Sequence, residues 1–135
     1  MNFYTGKFSK FQPDGSIKSF DPYDPRQPIE ESYERPLHCV GKIQVQGQAL
    51  NALFGPPTWT HKPGESISYE WYFELPNGSQ GVVYDFRSPD KNLRDINLWM
   101  VGGETVSALY CLEMVLEQNN IPFLRVFLAS EDDDD

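Results

Sequence analysis

Few residues in this chain have the type and spacing to do chemistry, and Glu70 and Asp85 are the most informative pair. In Ile67–Leu75, Tyr69, Trp71 and Phe73 alternate with Glu70, Tyr72 and Glu74, the two-residue period of a strand with one buried face. Asn77-Gly78 then supplies a hairpin signal. A two-residue type I′ turn there predicts Phe73 opposite Val82, Trp71 opposite Tyr84 and Tyr69 opposite Phe86, all on one buried face. The same register sets Glu70 directly opposite Asp85 on the polar face, with Arg87 a diagonal step away. Facing carboxylates could perform acid–base work or hold a cation. Since no nucleophile or phosphate-binding loop accompanies them, the favoured reading is a solvated face on which Arg87 compensates both.

The remaining nucleophiles and metal ligands are His38, His61, Cys39 and Cys111. His38 and Cys39 are neighbours, which point to opposite faces of a strand, and neither Cys-x-x-Cys nor His-x-x-x-His occurs. The spacing predicts no zinc or other metal site, no cofactor and no catalytic residue. Gly102-Gly103 before a helix could offer backbone donors to an anion, but reads first as a tight strand-to-helix turn. The aromatic and sulfur side chains say more. On the long helix Val106, Tyr110 and Met114 share an arc with Ser107, Glu113 and Glu117, and this stripe is either a partner-binding face or cover for Phe20, Tyr23 and Tyr33. Trp59 and Tyr72 raise the same question beside Glu70 and Asp85. Asp132 and Asp133 belong to the run Glu131–Asp135, which either keeps the chain soluble, contacts a basic partner or imitates nucleic-acid phosphates.

The elements that must position these residues fit one domain of 135 residues, 39% hydrophobic and 14% aromatic, too apolar for a disordered chain. Of the net charge of −9, five units lie in Glu131–Asp135. This balance disfavours direct nucleic-acid binding. No apolar run is long enough to cross a membrane, the first residues lack a signal-peptide core, and two cysteines fit a reducing cytoplasm. Residues 1–36 read as an N-terminal arm: a possible hairpin about Pro13-Asp14-Gly15-Ser16, then a Pro-rich connector. Residues 37–129 read as a single α+β domain and 130–135 as an acidic tail. Within the domain the order is a strand at Lys42–Val45, a helix at Gln48–Phe54 capped by Gly55, the hairpin strands, a strand at Ile96–Val101, a helix at Glu104–Gln118 ended by Asn119-Asn120, and a strand at Phe123–Leu128. On the main helix Ala108, Leu109, Cys111, Leu112, Val115 and Leu116 gather on one arc. An antiparallel sheet of about four strands with two helices on one face buries these stripes.

Leu53-Phe54-Gly55-Pro56, Glu70-Trp71, Asn77-Gly78, Val83-Tyr84-Asp85-Phe86 and Trp99-Met100-Val101-Gly102-Gly103, in that order, resemble a small domain of phage and large-virus proteins. Its pattern runs helix, Leu-Phe-Gly-x-Pro, Glu-Trp, Asp-Gly, Tyr-Asp-Trp, Trp-His-Ile-Gly-Gly, helix. The resemblance covers about Ala49 to Gln118, roughly half of the chain. Asn77 replaces an acid of the pattern and Met100 replaces its histidine, so any chemistry of that histidine is missing. The resemblance implies a viral origin and this fold, and no activity. More distantly, the helix before Leu-Phe-Gly-Pro-Pro-Thr-Trp and the aromatic meander are similar to the helix-on-sheet modules of β-lactamase-inhibitor protein and of outer-membrane assembly lipoproteins, both binding modules.

The expected function is that of a non-enzymatic, virus-encoded module that occupies or inhibits a host or viral protein. A basic, nucleic-acid-handling partner suits the charge, and the oligomeric state is open. One alternative is a virion structural or assembly accessory using the Pro-rich arm as a strap. Another is a small hydrolase using Glu70 and Asp85.

Overall fold

A computed structural model of the chain describes residues 3–4, 7–20, 37–61, 67, 69–85 and 92–129. The Pro-rich connector, Arg87, Phe86, and Asp132 and Asp133 lie outside the described residues. Among those described, the architecture is α+β: two helices and a mixed sheet of nine strands, where about four had been expected. The strands are β1 (Phe3–Tyr4), β2 (Phe8–Phe11), β3 (Ile17–Phe20), β4 (His38–Gln44), β5 (Trp59–Thr60), β6 (Tyr69–Glu74), β7 (Gln80–Tyr84), β8 (Leu98–Gly103) and β9 (Leu124–Leu128); the helices are α1 (Gly47–Phe54) and α2 (Ser107–Gln118). The strand order is β1-β5-β6-β7-β8-β4-β9, with the β2–β3 hairpin laid against β6 through a parallel β2–β6 pairing. Residues before Leu37 therefore take part in the sheet.

The β6–β7 register differs by one residue from the expected one. Trp71 faces Val83, Phe73 faces Gly81 and Glu70 faces Tyr84. Proline explains the shift. The Gly78 N–H donates to the Leu75 carbonyl and the Leu75 N–H to that of Ser79, so the loop is Pro76-Asn77-Gly78, three residues long. Among the described residues Asn120 is the only non-glycine with positive φ, so Asn77 cannot fill a type I′ turn. Pro76 presets a type I turn instead, and Gly78, at φ 91°, forms the bulge after it. Asn77 Oδ1 accepts hydrogen bonds from the Ser79 N–H and hydroxyl. Pro13-Asp14-Gly15-Ser16 repeats this turn between β2 and β3, with Asp14 Oδ1 taking the same two bonds from Ser16.

A one-residue slip moves a strand's side chains to the opposite face. Val82 and Tyr84, expected inside with Trp71, lie on the outer face with Tyr72 and Glu70, while Val83 and Asp85 point inward. Trp71, Phe73, Val83, Trp99, Val101 and Ile43 line the inner face, under both helices. Trp71 packs edge-on to Trp99 at 5.1 Å and against Phe54 of α1, and Phe11 of β2 stacks on Phe73 at 4.7 Å. Burying each such ring is worth roughly 2–3 kcal/mol. The third meander strand begins at Leu98 rather than Ile96 and runs through Gly102-Gly103 instead of stopping there. α2 begins at Ser107 rather than Glu104, whose carboxylate instead accepts the Gln80 N–H at 2.9 Å. Its end is as expected: Asn120, at φ 59°, turns the chain, and the N–H groups of Asn120 and Ile121 donate to the Glu117 and Leu116 carbonyls.

Candidate functional site

Strand pairing gathers one row of side chains on the outer face: Trp59, Glu70, Tyr84, Met100, Lys42 and Phe127, each opposite the next on the neighbouring strand. At one end the Trp59 indole Nε1–H donates to His61 Nδ1 at 2.8 Å, and His61 Nε2 lies 2.8 Å from Glu70 Oε1. An indole N–H only donates, so Nδ1 must accept, and the ring proton sits on Nε2, donated to Glu70. Both ring nitrogens are thus engaged within the chain. His61 follows Trp59 by two residues, so a strand directs both to one face. That spacing was the signal available for this cluster. In the middle of the row, burial pushes the Tyr84 phenol up to about 12, with the neighbouring Cys39 thiol and Glu70 carboxylate adding to the shift. Lys42 Nζ lies 5.9 Å above the Phe127 ring, and Lys42, Ile67, Tyr84 and Met100 border a hollow of about 320 Å³.

Glu70 and Asp85 are not a pair. Glu70 faces outward to His61; Asp85 is 0% exposed on the inner side, where its Oδ1 accepts the Tyr69 N–H at 2.7 Å. The register shift separates them. Tyr72 stacks on Phe8 at 5.5 Å, and its N–H donates to the Thr58 hydroxyl. Val106, placed by its spacing on a stripe that either binds a partner or lies under the N-terminal aromatics, is 3% exposed and belongs to the core. Tyr110 and Met114 do reach the surface, at 43% and 50% exposure. Burial raises the pKa of the Cys111 thiol. Among the described residues no three His, Cys, Asp or Glu side chains are grouped to hold a metal, and no helix is long and apolar enough to cross a membrane.

The surface beside Tyr110 and Met114 is the more distinctive region. β9 closes the strand order, paired with β4 on one side and with no described strand on the other. Leu124, Val126 and Phe127 on it are 61%, 48% and 47% exposed. Its one charge is held back. The Arg125 Nε and Nη2 donate to the two Glu113 oxygens at 2.8 and 2.5 Å, and the guanidinium lies 5.5 Å from the Tyr110 ring centroid. This fork ties β9 to α2 and sets the Arg125 guanidinium beside Tyr110 on the helix side, while Leu124 and Phe127, opposite Gln44 and Lys42, lie on the outer face of the sheet. The strand itself was expected from sequence, but its edge position depends on long-range pairing that no local pattern carries.

Compared with known proteins, the chain matches no family model, no curated sequence and no solved structure.

Proposed function

We propose that the chain is a non-enzymatic, virus-encoded protein-binding module that engages a partner through α2 and β9. One observation carries the reading: of six large hydrophobic side chains exposed among the described residues, Tyr110, Met114, Leu124, Val126 and Phe127 belong to these two adjoining elements. Exposed aromatic, Met and aliphatic side chains are what protein interfaces use. A basic partner suits the net charge of −9. The hydrolase alternative required Glu70 and Asp85 on one face, and they lie on opposite faces. The immobilised chain should retain a protein from an extract of its host cells. The folded double variant Tyr110→Ala/Met114→Ala should release it about tenfold faster or more, as loss of desolvated anchors does. Equal retention by wild type and double variant would sink the reading.

A further inference from the structure

We infer that His61 is a proton-operated latch on Trp59, closed while the imidazole is neutral and opened when Nδ1 takes up a proton. The inference is independent of the α2 and β9 surface and rests on the two bonds that His61 makes. Its partners make opposite demands on the ring. The Trp59 indole nitrogen can only donate, and it reaches Nδ1 at 2.8 Å, so Nδ1 must keep its lone pair. On the far side Nε2 meets Glu70 Oε1 at 2.8 Å, and a carboxylate there favours the imidazolium. The His61 and Glu70 side chains are 18% and 13% exposed, so solvent screens their attraction weakly. Protonation at Nδ1 suits Glu70 and sets two hydrogens against each other between His61 and Trp59. One bond strengthens as the other is lost. Imidazole is the ordinary side chain whose charge changes between about pH 5 and 8.

Among the described residues around the latch, Glu70 of β6 is the charge that faces the ring. Tyr84 of β7 stands opposite Glu70 and, pushed up to about 12, stays neutral across that range. Farther along the same face Glu74 is held by Lys10 at 3.0 Å. β1 lays Phe3 and Tyr4 against β5, and neither residue type is charged near neutral pH. Lys62 and Glu65, the next charges in the sequence, lie outside the described residues. β5 is two residues long and joins β1 to β6, so the latch sits on a short element between two neighbours. Opening it releases the Trp59 N–H, at the end of the outer-face row, to water or to an acceptor from outside, while His61 stays paired with Glu70.

Two other tryptophans serve as internal controls. Trp71 and Trp99 donate their indole N–H groups to backbone carbonyls, of Gly55 and of Val45 and Ile96, which do not titrate. The experiment follows the indole N–H resonances of the full nitrogen-15-labelled chain from about pH 8 to about pH 4.5. The Trp59 signal should move through a single step while those of Trp71 and Trp99 stay in place. His61→Gln, whose amide does not titrate, should hold the Trp59 signal fixed. Glu70→Gln keeps an acceptor for Nε2–H but removes the charge, so it should need about tenfold more acid for the same step. The wild type alone supplies two further checks. At the alkaline end the His61 ring should carry its hydrogen on Nε2, and its titration should share one midpoint with the Trp59 step. These decide the matter if either variant loses the Trp71 and Trp99 signals of the folded chain. The inference falls if the hydrogen is on Nδ1, if the midpoints differ, or if the Trp59 signal stays flat in the wild type. It also falls if that signal still moves in folded His61→Gln, or if folded Glu70→Gln steps at the wild-type pH or above it.

Discussion

Gly55 has φ 82° and ψ −165°, a region that essentially only glycine occupies. A Cβ there would meet nothing within 4 Å, so the requirement lies in the backbone and not in space. The conformation turns the Gly55 carbonyl to accept the Trp71 indole N–H at 2.9 Å while its own N–H donates to the Asn51 carbonyl. Gly55→Ala should therefore cost about 1–3 kcal/mol in denaturant titration despite the open space. A loss below about 0.5 kcal/mol would show that the turn relaxes freely. Glycine as the end of α1 was legible in Leu-Phe-Gly-Pro-Pro. Its service to Trp71 was not, because the indole comes from a strand 16 residues later.

Helix α2 sits unusually close to the sheet, and glycines permit it. A Cβ on Gly103 would lie 2.4 Å from the Ala108 Cβ, and one on Gly81, its partner across the strands, 3.1 Å from the same atom. Gly103→Ala should destabilise by about 1–3 kcal/mol, the usual cost of overpacking. Gly103→Ala combined with Ala108→Gly should lose less than the sum of the single losses, because the clashing methyl is gone. Strict additivity in thermal or denaturant unfolding would mean that the backbone carries the strain instead. Element identities were well marked in the sequence: the apolar arc of α2, the alternation of β6 and the Asn119-Asn120 stop each agree with the structure. Register was not. Asn77-Gly78 alone points to a two-residue loop, and Pro76 in front of it decides for three. That single residue moved Val82 and Tyr84 outward and dissolved the supposed Glu70–Asp85 pair. The bond from His61 to Glu70 is not legible in the sequence, because it depends on β5 lying against β6, where Trp59 faces Glu70.

Across the whole molecule, net charge and apolar edge should govern different steps of association. Steering by exposed charge is screened over about 8–10 Å at physiological salt and acts on the on-rate. Replacing Asp132 to Asp135 with Asn should slow association of a basic partner and flatten its salt dependence, leaving dissociation nearly unchanged. Tyr110→Ala should do the reverse, and stopped-flow traces at several salt concentrations separate the two. A change in off-rate alone on neutralising the run would refute the steering role. The parallel β2–β6 pairing has a consequence for synthesis on the ribosome. Ser9 pairs with Phe73, and the Lys10–Glu74 ion pair closes a separation of 64 residues. At roughly 5–20 residues per second, the β2–β3 hairpin is complete about 3–11 s before the strand it pairs with. Throughout that interval Phe8 and Phe11, both buried in the finished sheet, have no β6 to cover them. Until β6 emerges, the nascent hairpin therefore offers two core aromatics to a holding chaperone.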